Sequence, residues 1–301
     1  MPSSKSRSIY IIIICLFANY LNASNLEVDN HLWKAECYDE NSRLQQTIAQ
    51  NFLNLLKNQF SLQPDAFLLD LGCGNGRITT SILNSFDSIR ILGIDASADM
   101  ISFANNHFGN SQVMFSVDNV EQLKTIQSNS VDAITSFSCL HWVLDHESAF
   151  QRMYDVLKPM GWLGCMFAAE TGFDDPLDGA FAQAMEEKPW ADYFKEPVAE
   201  VGWNIVQPES TKKQLERIGF QVVLMDVQNF NYYFQNSKAF ENWILACAQQ
   251  LKLLPFELQK SCAARIANLY LEATSEKQPS NSQCIYQVDA FMLMAVKPDR
   301  L

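Results

Sequence analysis

The chain has 301 residues, 48% of them hydrophobic, and a formal net charge of −12. That length and apolar content suffice for one large core or at most two, and they exclude a disordered chain. The acidic balance argues against sequence-independent nucleic-acid binding, which relies on lysines and arginines to displace counterions from phosphates.

In chain order, Lys5 and Arg7 precede an apolar run from Ile9 to Leu21, and small residues around Ala23 and Ser24 follow it. This is the layout of a secretory signal, although a mis-assigned start or a loosely packed extension gives the same pattern. The run is short for a membrane span. Residues 1–24 therefore stand apart from a domain over 25–301, and membrane association is expected only through residues 9–21. The eight cysteines (15, 37, 73, 139, 165, 247, 262, 284) form no Cys-x-x-Cys pair and lie mostly in apolar segments. They read as buried thiols of a reducing compartment, so a cytoplasmic location is favoured over export. The four histidines (31, 107, 141, 146) lack metal-ligand spacing, and no metal is expected.

Leu44, Ile48, Phe52, Leu55 and Leu56 recur at helical spacing and predict an amphipathic helix that covers a sheet. Short β-rich runs then alternate with helical patterns, the rhythm of a parallel α/β sheet. Strands are predicted at 66–71, 89–95, 113–118, 131–138 and 161–168, with helices near 77–85, 97–107 and 147–158. Strands at 220–228 and 285–296 bracket a helical stretch, 237–275. Residues 170–212 carry Phe173, Trp190, Tyr193, Phe194 and Trp203 among acids, a composition that suits a lid over an apolar ligand and equally suits core.

The first strand breaks into "DLGCGNG". Gly72 permits a tight turn off the strand, Gly74 lets a ligand approach the backbone, and Gly76 lets the following helix pack close to it. Arg77 stands where a dinucleotide fingerprint has its third glycine. Asp70 closes this strand, Asp95 the second and Asp118 the third, so three carboxylates line one edge of one cleft.

These residues resemble the class I methyltransferases that use S-adenosylmethionine, over roughly residues 30–297. The resemblance implies a doubly wound, seven-stranded, mostly parallel Rossmann-like α/β sheet with an antiparallel last strand and helical lids. It places Asp70 and Gly72, Gly74 and Gly76 near the methionine part of the cofactor and Asp95 on the ribose hydroxyls. Asp118, Asn119 and Val120 border the adenine, and Ala96, Met100 and Ser136 join the cofactor-binding set. The run "RMYDVLKPMGWLGC" is similar to the family's helix, Leu-Lys-Pro turn and fifth strand, with Met160 in place of the usual glycine. More narrowly, "ITSFSCLHWVLDHESAF" and "WKAECYDENSRLQ" resemble the juvenile hormone acid and trans-aconitate methyltransferases, which esterify carboxylic acids. By that likeness Trp33 and Tyr38 belong to an element that closes over the cofactor, and Gln45 and Trp142 hold a substrate carboxylate.

A carboxylate is already ionised at neutral pH, so positioning supplies most of the catalysis and neutral donors orient the anion without overbinding it. His141 is the general-base candidate if the acceptor is instead a hydroxyl or amine. Gln45, Trp142 and His141 are thus the candidate catalytic residues. Three readings stand: O-methylation of an apolar or aliphatic small-molecule carboxylic acid, the malonyl-carrier-protein methyltransferase reaction of biotin synthesis, and a methyltransferase-like binding module without catalysis.

Overall fold

The computed structural model describes residues 34–169, 175–194, 204–279, 281 and 283–299. The signal-like segment, Trp33, Phe173 and Trp203 lie outside the described residues. Strand β1 (Phe67–Leu71) lies inside the sheet, with parallel neighbours β2 (Arg90–Asp95) and β4 (Val131–Phe137). Because successive side chains alternate faces, Leu68 packs into one apolar layer while Leu69 and Leu71 pack into the other. Both faces are covered, which is why β1 reads as a continuous apolar run.

Helices α1 (Ala35–Asn41) and α2 (Arg43–Gln59) precede β1, and Ile48, Phe52 and Leu56 of α2 are buried against the Leu68 face. Helix α3 (Arg77–Ser85) links β1 to β2, and α4 (Ala98–Phe108) links β2 to β3 (Val113–Val117). Helix α5 (His146–Val156) buries Phe150 and Met153 on the Leu69 face before β5 (Leu157–Phe167). Next come α6 (Pro176–Glu186), α7 (Pro208–Ile218), β6 (Gln221–Phe234), α8 (Ser237–Cys247), α9 (Phe256–Ala273) and β7 (Cys284–Val296). The strand order is β3-β2-β1-β4-β5-β7-β6, parallel except for β7, which runs antiparallel to both neighbours.

Two strands differ from the sequence expectation. Strand β6 continues to Phe234 because β7 keeps pairing with it as far as Cys284, and its alternating burial is that of an antiparallel edge. The stretch 237–275 holds the expected helices: after α8 a 3₁₀ turn (Gln249–Leu253) intervenes, and Pro255 precedes α9. Strand β5 begins at Leu157, before the predicted 161, with a register shift opposite Val131/Ala133. Within it Met160 adopts φ 64° and its N–H donates to the Lys297 carbonyl at 2.7 Å. A left-handed conformation disfavours a side chain, so Met160→Gly is expected to stabilise the fold by about 0.5–1 kcal/mol, measured by denaturant unfolding.

The seven described cysteines are free thiols. No described helix is long and apolar enough to cross a membrane.

Candidate functional site

The parallel strands β1 to β4 end together, and the chain turns sharply there. The N–H groups of Gly72 and Cys73 both donate to the Ile94 carbonyl, at 2.8 and 2.9 Å, folding the loop back across β2. Gly72 has φ 67°, and a Cβ on it would sit 2.1 Å from the Cys139 Sγ, so only glycine fits. Gly74, at φ 54°, has open space where its Cβ would be, and Gly76 begins α3. The loop thus presents bare backbone toward the cleft.

Asp70 does not lie open to that cleft. It is 2% exposed and accepts the Thr79 hydroxyl at 2.6 Å and the Thr135 hydroxyl at 2.9 Å. Burial raises its pKa to about 6, against the lowering effect of those hydroxyls. Ser136 is likewise interior, donating to the Leu71 carbonyl at 2.9 Å. Both residues fix the β1–β4 floor beneath the glycine loop.

Asp95 is half-buried at the end of β2, where its carboxylate accepts from the Gly74 N–H at 2.9 Å and the Ser97 N–H at 2.8 Å. Burial raises its pKa, and the two backbone donors oppose that rise. Each oxygen keeps a second acceptor site. Beside it Ala96 is exposed, while Met100 is buried in the first turn of α4. Past β3, Asp118 takes the Asn119 N–H and the Thr125 hydroxyl, Asn119 caps the turn at Glu121, and Val120 is buried.

Helix α1 is fastened over this edge at two points. The Ala35 N–H donates to Asp99 at 2.9 Å. Asp39 pairs with the Arg77 guanidinium and accepts the Asn75 amide at 2.7 Å. Arg77 therefore anchors α1 to the helix that follows the glycines. Between the fastenings sits Tyr38, whose hydroxyl is pushed above its ordinary pKa by burial and then by Cys247, Asp95 and Cys139. Gln45, in the first turn of α2, donates to the Cys247 Sγ at 3.2 Å and accepts the Trp243 indole N–H at 3.3 Å. One of its two amide N–H bonds is thereby engaged by α8 and the other is not.

The chain leaving β4 forms a 3₁₀ turn, Leu140–Trp142. His141 is 8% exposed, and its Nδ1 accepts the Ala168 N–H at 3.2 Å, which places the ring hydrogen on Nε2. Burial lowers its pKa to about 3. Its one basic nitrogen is committed to the backbone, an arrangement unlike that of a general base. Trp142 is half-buried, its ring centroid 5.3 Å from that of His141.

Asn204, which nothing in the sequence pattern singles out, braces this turn. Its backbone N–H donates to the His141 carbonyl at 2.8 Å, and its side-chain amide reaches the Leu144 carbonyl at 2.8 Å and His146 Nδ1 at 3.0 Å. His146 in turn holds the Leu140 carbonyl at 2.8 Å through Nε2.

A profile described as a methyltransferase domain matches residues 69–165. The juvenile hormone acid O-methyltransferase of Bombyx mori is 24% identical over 213 residues, 69% of this chain and 74% of that protein. The malonyl-[acyl-carrier protein] O-methyltransferase of Bacillus anthracis is 28% identical over 154 residues, 51% of this chain and 56% of that protein. The phosphoethanolamine N-methyltransferase 2 of Haemonchus contortus, solved with S-adenosyl-L-methionine, superposes with a TM-score of 0.53 at 16% identity, covering 83% of this chain and 52% of that one. S-adenosylmethionine fits the residues present. The open face at Gly74 accommodates a group lying against the backbone, and Asp95 and Asp118 offer acceptors for hydroxyl and amine hydrogens and negative potential for a cation. Glycine loop, acid row and strand order are those of the class I methyltransferase fold, and the sequence likenesses agree with a methyltransferase domain over residues 69–165.

Proposed function

We propose that the protein transfers a methyl group from S-adenosylmethionine to the carboxylate oxygen of a small-molecule carboxylic acid, apolar or aliphatic along its body. The observation that carries this reading is the state of His141. Its pKa of about 3 and its Nδ1 bond to the Ala168 N–H leave a neutral ring with no basic lone pair for an acceptor proton. Tyr38 and Cys139 nearby hold their protons, Cys139 with its pKa raised to about 12. A hydroxyl or amine acceptor needs a base to deprotonate it, and a carboxylate does not.

When bound, S-adenosylmethionine supplies an electrophilic methyl whose C–S bond breaks as the new C–O bond forms, its electron pair returning to sulfur. The protein's own part is positional. Asp95 anchors the ribose hydroxyls, and its bonds to Gly74 and Ser97 keep that anchor in register with the loop. Helix α1 covers the reactants, which excludes water. The uncommitted N–H of Gln45 and the indole of Trp142 orient the acceptor anion, and Asn204 keeps the Trp142 turn in place.

The test is transfer of a tritiated methyl group to a panel of aliphatic and isoprenoid acids, with matched alcohols and amines. Labelled methyl esters are expected. Label on the alcohols or amines alone would overturn the reading. A second expectation concerns the cofactor: Asp95→Ala weakens S-adenosylmethionine binding by about 1–3 kcal/mol, read by calorimetric titration, because it leaves the ribose hydroxyls and the Gly74 N–H unpaired.

A further inference from the structure

Beyond Gln45, on the far side of Cys247, lies a short 3₁₀ turn with an unusual distribution of polar groups. In a 3₁₀ helix, residues three apart eclipse one another, so the turn Gln249–Leu253 has three faces. Leu251 and Leu254 form the face buried in the core. Leu253 is 46% exposed and marks the solvent face. Gln249 and Lys252 share the third.

Gln249 is only 2% exposed, and neither its Nε2 nor its Oε1 has a hydrogen-bond partner. Lys252 is half-buried, and among the described residues it faces no carboxylate. Its Nζ has one long contact, 3.4 Å to the Leu245 carbonyl. The groups around it are Lys34 at the N-cap of α1, Cys37 within α1 and Cys247 at the end of α8. Cys247 is the residue that accepts from Gln45, and it also neighbours Tyr38. At Lys252, then, the third face looks toward α1 and adjoins the residues assigned to the acceptor. A buried amide with no partner is costly, and a half-buried ammonium without an anion is costly too. Three positions apart on one 3₁₀ turn, they make a donor set matched to an anionic oxygen group.

We propose that Gln249 and Lys252 form a second, distal subsite that binds an anionic group at the far end of the substrate, so that the preferred acceptor is a dicarboxylic acid esterified at one end. This rests on the carboxylate reading above and extends it. One carboxylate lies between Gln45 and Trp142, where the neutral donors leave it nucleophilic. The other is held by the ammonium and the amide, which bind more firmly and keep it away from the methyl group.

The experiment pairs straight-chain monocarboxylic acids with the α,ω-dicarboxylic acids of equal length, from succinate to sebacate. Each is measured as a methyl acceptor and, separately, by calorimetric binding to the full chain saturated with S-adenosylhomocysteine. Wild type is expected to favour a diacid of one length over its monoacid by about ten- to a hundredfold in both measurements. In Lys252→Met that ratio falls by at least about tenfold, and Lys252→Arg retains most of it. Gln249→Leu lowers the ratio as well and raises the unfolding temperature by about 2 °C, because it removes an unsatisfied buried amide. Equal binding of monoacid and diacid in wild type, or a ratio unchanged in Lys252→Met, overturns the subsite. Diacid binding that depends on Lys252 without any ester formation supports the subsite and overturns the carboxylate reading instead.

Discussion

Gly72→Ala is expected to cost about 2–5 kcal/mol of stability and to abolish S-adenosylmethionine binding. The added methyl meets the Cys139 Sγ at 2.1 Å and Cβ at 2.4 Å, and φ 67° adds the penalty of a left-handed alanine. The strain falls where the first and fourth strands release their chains, so relaxing it pushes the glycine loop away from Asp95 or the turn at Trp142 away from the cleft. Denaturant unfolding and calorimetric titration read the two effects. A Gly72→Ala/Cys139→Gly double variant is expected to recover the packing share and leave the backbone share. A single variant with wild-type stability and cofactor affinity would show that the close approach of these strands is not needed.

The second large effect is on stability against pH. The folded pKa of His141 is about 3 and its ordinary value 6.5, so the unfolded chain binds a proton over this interval that the native state refuses. Stability from this residue is complete above pH 6.5 and is lost as pH falls toward 3, by about 4–5 kcal/mol in all. Asp70 acts oppositely. Its folded pKa is about 6 against 3.8, so its contribution is complete below pH 3.8 and is lost as pH rises through 6, by about 3 kcal/mol. Between pH 4 and 6 the two slopes largely cancel. His141→Gln, whose side chain still offers an acceptor to the Ala168 N–H, is expected to leave stability falling with rising pH in that window. Asp70→Asn is expected to leave it rising. Unfolding midpoints for the three proteins across pH 4–7 decide this, and parallel curves would contradict both assignments.

The glycine loop and the acid row were legible in the sequence because their chemistry is local: a tight turn needs glycines within a few residues, and each acid marks the end of a strand that its own apolar run announces. The sheet was legible for the same reason, since two-sided burial makes each central strand a short continuous apolar run. What the sequence hid is what distant segments do to these parts. Asp39 meets Arg77 across 38 positions, and Gln45 meets Cys247 across 202. Only the fold shows that Arg77 fastens α1 or that half of the Gln45 amide is already engaged. The protonation of His141 was hidden too, because it depends on the Ala168 N–H at the end of a neighbouring strand. Asp70 carries the signature of a cleft acid in sequence, yet Thr79 and Thr135 draw its carboxylate inward. The "NFNYYF" continuation of β6 has the right alternation, but its length is set by pairing with β7.

The central claim, methyl transfer to an oxygen that arrives already ionised, is tested most directly by the pH dependence of kcat for one accepted acid in wild type, His141→Ala, Trp142→Phe and Gln45→Ala. A plateau from about pH 6 upward is expected, with no limb near the histidine value of about 6.5. Trp142→Phe and Gln45→Ala are each expected to lower that plateau by about ten- to a hundredfold, the scale of one lost orienting hydrogen bond, at nearly unchanged cofactor affinity. The contrary result is a limb near pH 6.5 that disappears in His141→Ala with a rate loss of about 10² or more, while Trp142→Phe and Gln45→Ala behave as wild type. That outcome would make His141 a base and the acceptor a hydroxyl or an amine.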